Sequence, residues 1–328
     1  MMQILFIGLG AGAASALLFA SIASGSPLAF LLANFAQLPI LLAAIGWTHL
    51  AGLAGVAIAT AGLAVATNGS VAFAFLIGIG LPAWWIGYLA LLARPAPGGD
   101  PNDVEWYPVG RIVVWTAVAA ALVVIVSLLR YGFDAAQIQA GLHQELERAL
   151  RFLSGSPADA PLRLPVKDPQ SLLAILVLIV PPMKATALTM TSLLNLWLAA
   201  LIVRASQRLK RPWPSIAQME FPPFAPTVLA VSVAGTFVPD IIGIVSGVFA
   251  ASLLLAYALL GFAVLHVITL GLQGRGFMLT GAYFTVGLFG WPIVLMSLLG
   301  VVETLFGLRA RIAARRGPPA PPRSINRS

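Results

Sequence analysis

Four polar residues lie inside otherwise apolar runs, and their side chains could bind a small solute. Asn34 and Gln37 are three residues apart, which places them on one face of a helix just before Pro39. Lys184 and Asn195 lie in a later and longer apolar run. Burying such groups in a bilayer is costly, so they need partners. We expect these four residues to line a ligand site, where the cationic Lys184 would favour an anionic ligand group.

Three further polar residues lie near predicted helix ends. They are Asp240, which follows Pro239 at a predicted outer turn, His266 and Glu303. For all seven polar candidates a simpler interpretation is an interhelical hydrogen bond or a position at the membrane interface. The sequence leaves both interpretations open.

The sequence predicts no catalytic site, metal site or cofactor. Cysteine is absent, which excludes disulfides, thiolate ligands and cysteine nucleophiles. His49, His143 and His266 are far apart and have no companions at metal-ligand spacing. Residues 4–16 look like a dinucleotide fingerprint, but that motif needs a βαβ unit and an acid about 20 residues further on. The first acid in the chain is Asp100, so the fingerprint is incomplete. Zincin, nucleophile-elbow and phosphate-loop patterns are also absent from the sequence, so an intramembrane enzyme has no support.

Two pairs of glycines have the spacing of a close helix contact. Gly8 and Gly12 are four residues apart, and Gly243 and Gly247 repeat the spacing. Small residues at this interval let two helix backbones approach each other in a membrane. The pattern is common in membrane helices and favours packing over chemistry.

The composition predicts a membrane protein. The chain has 328 residues, of which 59% are hydrophobic and 9% charged, against about 25% charged in a soluble domain. Several apolar runs exceed the roughly 20 residues that cross a bilayer as a helix. We therefore predict an all-α polytopic transmembrane bundle of about eight to ten spans. The net charge is +8. The charged residues lie at predicted helix ends and in a tail, which indicates membrane orientation rather than nucleic-acid binding.

The polar segments define the predicted organisation of the chain. Residues 1–308 form a single integral membrane domain in this prediction. Within it, residues 131–170 form an extracytoplasmic insert and residues 204–225 a basic cytoplasmic loop. Residues 309–328 are a basic, proline-rich cytoplasmic tail whose composition predicts disorder.

The insert contains a predicted amphipathic helix. Residues 134–153 carry apolar side chains at one-sided helical spacing. Asp134 with Gln137 could cap the start of this helix, and Glu147 with Arg151 is a favourable pair at i and i+4. We expect the helix to lie on the membrane or on the bundle.

The basic residues predict the orientation of the chain. Ten of the 19 basic residues lie in Arg204–Arg211 or in the tail. The positive-inside rule places both clusters in the cytoplasm, where they could contact anionic lipid or a protein partner. Counting six spans back from Arg204 then places the N-terminus in the cytoplasm as well. The predicted location is the bacterial inner membrane, with the lipid bilayer as the main partner.

The run that contains Lys184 is too long for one upright span. Residues 171–203 would form a helix of ~50 Å, against a hydrocarbon core of ~30 Å. Measured from the basic loop, Lys184 falls at the outer interface, where its amine reaches water. Pro181 and Pro182 could start the true span. Residues 172–180 would then be a separate interfacial or re-entrant piece, or a tilted prolongation kinked at the prolines.

Two other long runs contain helix breakers. Residues 227–270 are long enough for two helices, with a predicted break near Pro239 and Asp240. Residues 277–308 are either one span or a hairpin broken at residues 290–292. A hairpin returns the basic tail to the cytoplasm, so the charge distribution favours it.

Several local patterns resemble one known family. They are the amphipathic helix, AQLPILLAA (36–44), PPMKATALTMTSLLNLWLA (181–199), GFAVLHVITL (261–270) and LLGVVETLFGLRAR (298–311). Together they resemble the YybS-like family of bacterial multi-pass membrane proteins, whose function is unknown, although Glu303 stands where an aspartate is expected. That family is distantly similar to the S-components of energy-coupling-factor transporters and to MreD.

The resemblance implies either a bundle that binds a small ligand or a scaffold for other membrane proteins. We predict a transport-related protein that binds a small solute between helices, as an S-component does. The alternative is a non-catalytic scaffold or assembly factor like MreD. A polar-lined cavity open to one side would favour the first prediction, and a closed, fully packed bundle the second. The chain has no ATP-binding pattern, so active transport would need a partner ATPase or an ion gradient.

Overall fold

The computed structural model describes residues 1–97, 103–157, 162, 166 and 168–316. It is about 80% helical, which confirms the predicted all-α class. The chain falls into two compact units. The first comprises Met1–Pro214 with Phe221–Ala256, and the second Ser215–Glu220 with the chain from Tyr257 onward. The single membrane domain predicted over residues 1–308 stays a prediction.

Helices make up nearly every element of the described chain. In chain order they are α1 (Met2–Ala20), α2 (Pro27–Ala33), α3 (Gln37–Gly46), α4 (His49–Ala66), α5 (Gly69–Phe75), α6 (Leu81–Leu91), α7 (Val109–Leu128), α8 (Ala135–Ser154), α9 (Pro169–Ala205), α10 (Ala225–Gly235), α11 (Asp240–Ile268), α12 (Arg275–Phe289), α13 (Ile293–Phe306) and α14 (Leu308–Arg316). A π-helical turn, Leu76–Gly80, joins α5 to α6. Two short strands, β1 (Ala93–Pro95) and β2 (Val104–Trp106), separate α6 from α7.

Seven segments among the described residues are long and apolar enough to cross a membrane. They are Met2–Ser24, Pro27–Gly46, His49–Ala66, Gly69–Leu91, Val109–Tyr131, Pro169–Ala205 and Asp240–Ile268. Two further apolar helices, α10 and α13, have only 11 and 14 residues. Neither covers a ~30 Å hydrocarbon core, which takes about 20 helical residues. The predicted eight to ten spans therefore become seven long helices and two short apolar ones.

Two prolines shape the early spans. Pro39 has no N–H to give to the Phe35 carbonyl, so the Leu38 N–H bonds to that carbonyl instead, at 3.0 Å. The chain turns at residues 34–36, and the second span is divided into α2 and α3. Pro82 lies at the start of α6, directly after the π-helical turn, which is a common local adjustment at a break in the helix ladder.

The glycine pair of α1 packs against α4, as predicted. A Cβ atom built on Gly12 would lie 2.6 Å from the Gly55 carbonyl oxygen, and one on Gly8 would lie 2.7 Å from the Ala54 Cβ. Both distances are shorter than real Cβ atoms tolerate. The two helix backbones are therefore as close as the absence of side chains allows.

The basic loop contacts the ends of two earlier helices. The Arg208 guanidinium lies 4.7 Å from the Trp47 ring, and the Lys210 ammonium donates to the Trp47 carbonyl at 3.5 Å. Arg211 donates to the Ala90 carbonyl at 3.4 Å. The ends of α3, α6 and α9 therefore lie on one face of the first unit. An even number of spans must separate them, which agrees with the count used to orient the chain.

The segment between α6 and α7 contains two short strands. β1 and β2 pair antiparallel, with Arg94 opposite Glu105. The side chains of this pair form an ion bridge of 2.8 Å. The strands are only three residues long and lack the longer alternation that predicts a strand from sequence.

The second unit contains both expected and unexpected breaks. The predicted break at residues 290–292 is confirmed, since α12 ends before Gly290, whose φ of +71° is unfavourable for other residues. The α11 and α13 backbones meet where a Cβ built on Gly300 would lie 2.1 Å from the Tyr257 carbonyl oxygen. The tail prediction is wrong for residues 309–316, which belong to α14. Residues 317–328 lie outside the described residues.

Substituting Gly12 tests the contact between α1 and α4. We expect Gly12→Val to lower stability by about 1–3 kcal/mol, because the added side chain overpacks a backbone contact. Gly10→Val is the matched control, since a Cβ at Gly10 meets nothing within 4 Å. Thermal unfolding of the purified protein in detergent measures the difference. Equal melting temperatures for the two variants would contradict the contact.

Candidate functional site

Three of the four predicted site residues meet at the turn between α2 and α3. Asn195 on α9 donates through Nδ2 to the Asn34 carbonyl and to the Thr191 carbonyl, both at 2.8 Å. Ser15 on α1 donates to the Ala36 carbonyl at 2.5 Å. Side chains from α1 and α9 thus satisfy carbonyls of the turn, as a bilayer requires where a helix is interrupted.

Gln37 begins α3 directly after this turn and is 1% exposed. Neither Gln37 Nε2 nor Gln37 Oε1 has a hydrogen-bond partner among the described residues, and the same holds for Asn195 Oδ1. Within the described part of the chain, the Asn34 side chain donates to the Phe30 carbonyl at the end of α2. The turn therefore holds buried amide groups whose bonding capacity the described chain does not fill, at a cost of about 1–3 kcal/mol each.

Lys184 lies elsewhere. It is exposed on α9, eleven residues or ~16 Å along the helix from Asn195. Its charge acts on Glu145 of α8. Burial raises the pKa of Glu145, but a hydrogen bond from the Tyr131 hydroxyl and the charges of Arg130 and Lys184 lower it below its usual value. The structure thus separates Lys184 from the other three candidates.

Helix α8 has the features that the sequence predicts. Asp134 caps it by accepting from the Gln137 N–H at 2.8 Å. Glu147 and Arg151 form the expected ion pair at 2.7 Å. Ile138 and Leu142 on its apolar face are 1% and 3% exposed, and they pack against α7, α9 and α11. The helix is therefore docked on the bundle.

The structure corrects the interpretation of the two prolines in α9. Pro181 and Pro182 lie inside one continuous helix of 37 residues, which is ~55 Å long. The helix starts at Pro169, where Asp168 caps it by accepting from the Ser171 N–H at 3.2 Å. Residues 172–180 are therefore part of α9 and do not form a separate interfacial or re-entrant segment. Of the two predictions for these residues, only a prolongation of the span agrees with this helix.

The prolines change the hydrogen bonding of this helix. The Val177 carbonyl loses its usual donor because residue i+4 is Pro181. The Leu178 carbonyl loses two donors, because residues i+3 and i+4 are Pro181 and Pro182. The carbonyl oxygens of Val177 and Leu178 are thus left without their normal i+4 helical hydrogen bonds.

A cavity of about 250 Å³ lies beside these carbonyls. Its walls come from α8, α9, the turn after α10 and the start of α11. The lining residues are Gln139, Leu142, Val177, Leu178, Pro181, Pro182, Thr236, Val238, Asp240, Gly243, Ile244 and Gly247. All belong to the first unit. Asp240 is a predicted candidate residue, whereas Gln139 and Thr236 are not.

The turn before α11 brings Asp240 to the cavity. The helix break at this turn lies where the sequence predicts it, near Pro239 and Asp240. Asp240 has φ of +66°, a left-handed conformation that Asp and Asn tolerate better than most residues. A Cβ on Gly243 would lie 2.4 Å from the Val238 carbonyl oxygen, whereas one on Gly247 would meet nothing within 4 Å. This glycine pair therefore lines a turn and a cavity instead of packing helices together.

The remaining two candidates, His266 and Glu303, lie in the second unit, and each has a polar partner there. His266 Nδ1 lies 2.9 Å from the Phe262 carbonyl oxygen of its own helix. Glu303 is 8% exposed and pairs with Arg309 at 2.7 Å. Arg309 also donates to the Met219 carbonyl at 2.9 Å. For these two residues the simpler, structural interpretation fits.

A buried hydroxyl network also went unpredicted. The Thr189 and Ser252 hydroxyl oxygens are 2.8 Å apart, and Ser252 donates to the Ala117 carbonyl at 2.6 Å. These contacts join α9, α11 and α7. Ser and Thr in membrane helices usually bond to their own helix, so the sequence carries no signal for this network.

Substitutions at the turn test whether its buried amides have partners. We expect Gln37→Met to raise stability by about 1–3 kcal/mol, because a side chain of similar shape replaces a buried amide without a partner. Asn195→Ala should lower stability by about 1–3 kcal/mol, because it removes a buried hydrogen bond between helices. Unfolding of the purified variants in detergent gives both values.

Asn34→Ala is the control for Asn195→Ala, because it leaves the carbonyl that Asn195 uses and should change stability little. A destabilised Gln37→Met protein would contradict the account, since it would mean that the amide makes a favourable bond.

Comparisons with family models, with curated proteins and with solved structures find no match to this chain. Nothing in them bears on the resemblance to the YybS-like family, which stays a prediction. The geometry of the two polar regions is therefore the ground for a functional assignment.

Proposed function

We propose that this multi-pass membrane protein binds a small solute in the cavity between α8, α9 and α11, as a step in transport. The observation that carries the proposal is the cavity itself, which combines apolar walls with a few polar groups. Ligand sites generally have this composition, and they often lie between the helices of a bundle. The binding residues in this proposal are Asp240, Gln139 and the carbonyls of Val177 and Leu178.

The turn between α2 and α3 has a different role in this proposal. Asn195 and Ser15 bond to its carbonyls and hold a helix that is interrupted within a span. Such bonds satisfy backbone groups that a helix break would otherwise leave without partners in a bilayer. We assign Gln37 and Asn34 to this turn and not to the solute cavity.

The alternative function, a scaffold, has weaker support. It relies on the basic loop as a surface for a protein partner. Arg204 stacks on Trp213 at 4.8 Å, and Arg208 on Trp47 at 4.7 Å. Both arginines therefore already interact with aromatic rings of their own chain. A scaffold function would not require the cavity.

The orientation proposed from the basic residues places the cavity on the extracytoplasmic side. Lys184 lies about 20 residues from the basic loop, a length that matches one hydrocarbon core. Pro181 and Pro182 come just before it on α9, so the cavity lies at the outer interface. A solute would enter from outside the bacterial cell. Energy coupling would come from a partner ATPase or an ion gradient.

A cavity-filling variant tests the proposal. Gly247→Leu places a side chain in the cavity, and its Cβ has room because a Cβ there meets nothing within 4 Å. We expect protein purified from native membranes in mild detergent to release a small molecule on denaturation. The Gly247→Leu protein should release at least tenfold less. Mass spectrometry of the released fraction measures it.

Gly62→Leu is the matched control, since Gly62 is exposed on α4 and its Cβ also meets nothing within 4 Å. It should release as much as wild type. Equal release from wild type and both variants, or none from any of them, would contradict solute binding in this cavity.

A further inference from the structure

We infer that the cavity takes a small organic cation with a primary ammonium group. The inference rests on the proposed function and names the class of solute. Of the described residues that line the cavity, Asp240 alone carries a charge. A site with a single carboxylate favours a cation, so this inference reverses the anionic preference expected from Lys184.

Two cations, Arg130 and Lys184, also lie close to α8. Arg130 bonds to Glu145, and the Lys184 charge acts on the same carboxylate. None of these three residues lines the cavity. Glu145 pairs with Arg130 and attracts Lys184, which leaves one positive charge uncompensated. Asp240 is the charged group of the described cavity wall itself, so its carboxylate is the charge that a bound solute would contact.

The freed carbonyls supply the remaining acceptors. A primary ammonium group has three N–H donors. The Asp240 carboxylate and the carbonyl oxygens of Val177 and Leu178 can accept one each. The carbonyls are available because Pro181 and Pro182 have no N–H groups for them. In membrane transporters, backbone carbonyls without helical hydrogen bonds coordinate Na⁺ at broken helices.

The size and walls of the cavity favour an organic cation over a bare ion. Its 250 Å³ is below the roughly 300–1,000 Å³ of sites for drug-sized ligands, but well above the ~30 Å³ of one water. Leu142, Val177 and Ile244 give apolar walls. An alkyl chain of a few carbons would occupy these walls while its ammonium meets the oxygens.

Three probes of equal length separate charge from shape. Butylammonium, butanol and butyrate have the same four-carbon chain, and sodium chloride serves as the inorganic cation. Titration calorimetry on the purified full-length protein measures their binding. We expect butylammonium to bind at least tenfold more tightly than butanol or butyrate, and sodium not to compete with it.

Two variants test the named acceptors. Asp240→Asn keeps the left-handed backbone, because Asn also tolerates it, and should weaken butylammonium binding roughly 10- to 100-fold. Pro182→Ala restores a donor for the Leu178 carbonyl. It should raise thermal stability while weakening butylammonium roughly three- to tenfold. A merely structural role for Pro182 would change stability alone.

The outcomes separate the two proposals. Binding of butyrate or butanol that is lost in Gly247→Leu would overturn the ammonium assignment and leave solute binding intact. Competition by sodium that is lost in Asp240→Asn would overturn it in favour of an inorganic cation. Failure of all four probes would also overturn it, while the solute-release experiment would still decide the proposed function.

Discussion

Inside a bilayer every backbone carbonyl must find its hydrogen-bond donor within the protein, because lipid offers none. Each proline in a span removes one donor, and most of the unusual features of this structure lie next to one. Pro39 accompanies the turn that divides the second span, and Pro82 follows the π-helical turn. Pro181 and Pro182 leave two carbonyls of α9 beside a cavity.

The break in helical hydrogen bonding at Pro39 and the break at Pro181 and Pro182 have different surroundings in the fold. Beside Pro39, the buried side chains of Asn195 and Ser15 bond to the turn carbonyls. Beside Pro181, the neighbouring elements do not pack closely against α9, and a cavity lies between them. Its opposite wall is an amphipathic helix, and Asp240 brings a charge to its edge. The first arrangement stabilises a broken helix, and the second offers oxygen atoms to a solute.

Sequence periodicity and composition predicted the parts of the fold that depend on local chemistry. The helical class, the Gly8–Gly12 contact, the capped amphipathic helix and the breaks at Pro239 and Gly290 follow from residue type and spacing alone. The small strand pair and the helix over residues 309–316 were missed, because their segments are short and charged. Pro181 was misread, since a proline can start a span or lie within one and only tertiary packing decides.

The candidate site was predictable only in part. Asp240 stood out as a charge near a span, whereas Gln139 is one polar residue among many on α8. Lys184 was grouped with Asn195 because both are polar and share an apolar run. Their distance along the helix separates them. Which helices meet at a cavity is long-range information that a single sequence does not carry.

Thiol reactivity in intact cells tests most directly whether an open, water-filled cavity lies on the outer side. The chain has no cysteine, so single-cysteine variants report cleanly, because only a hydrated thiol ionises and reacts. Gly247→Cys should react rapidly with a membrane-impermeant maleimide. Ala234→Cys on the exposed side of α10 should react slowly, and Ser206→Cys only after permeabilisation. A Gly247→Cys protein that reacts no faster than Ala234→Cys, or only after permeabilisation, would contradict the account.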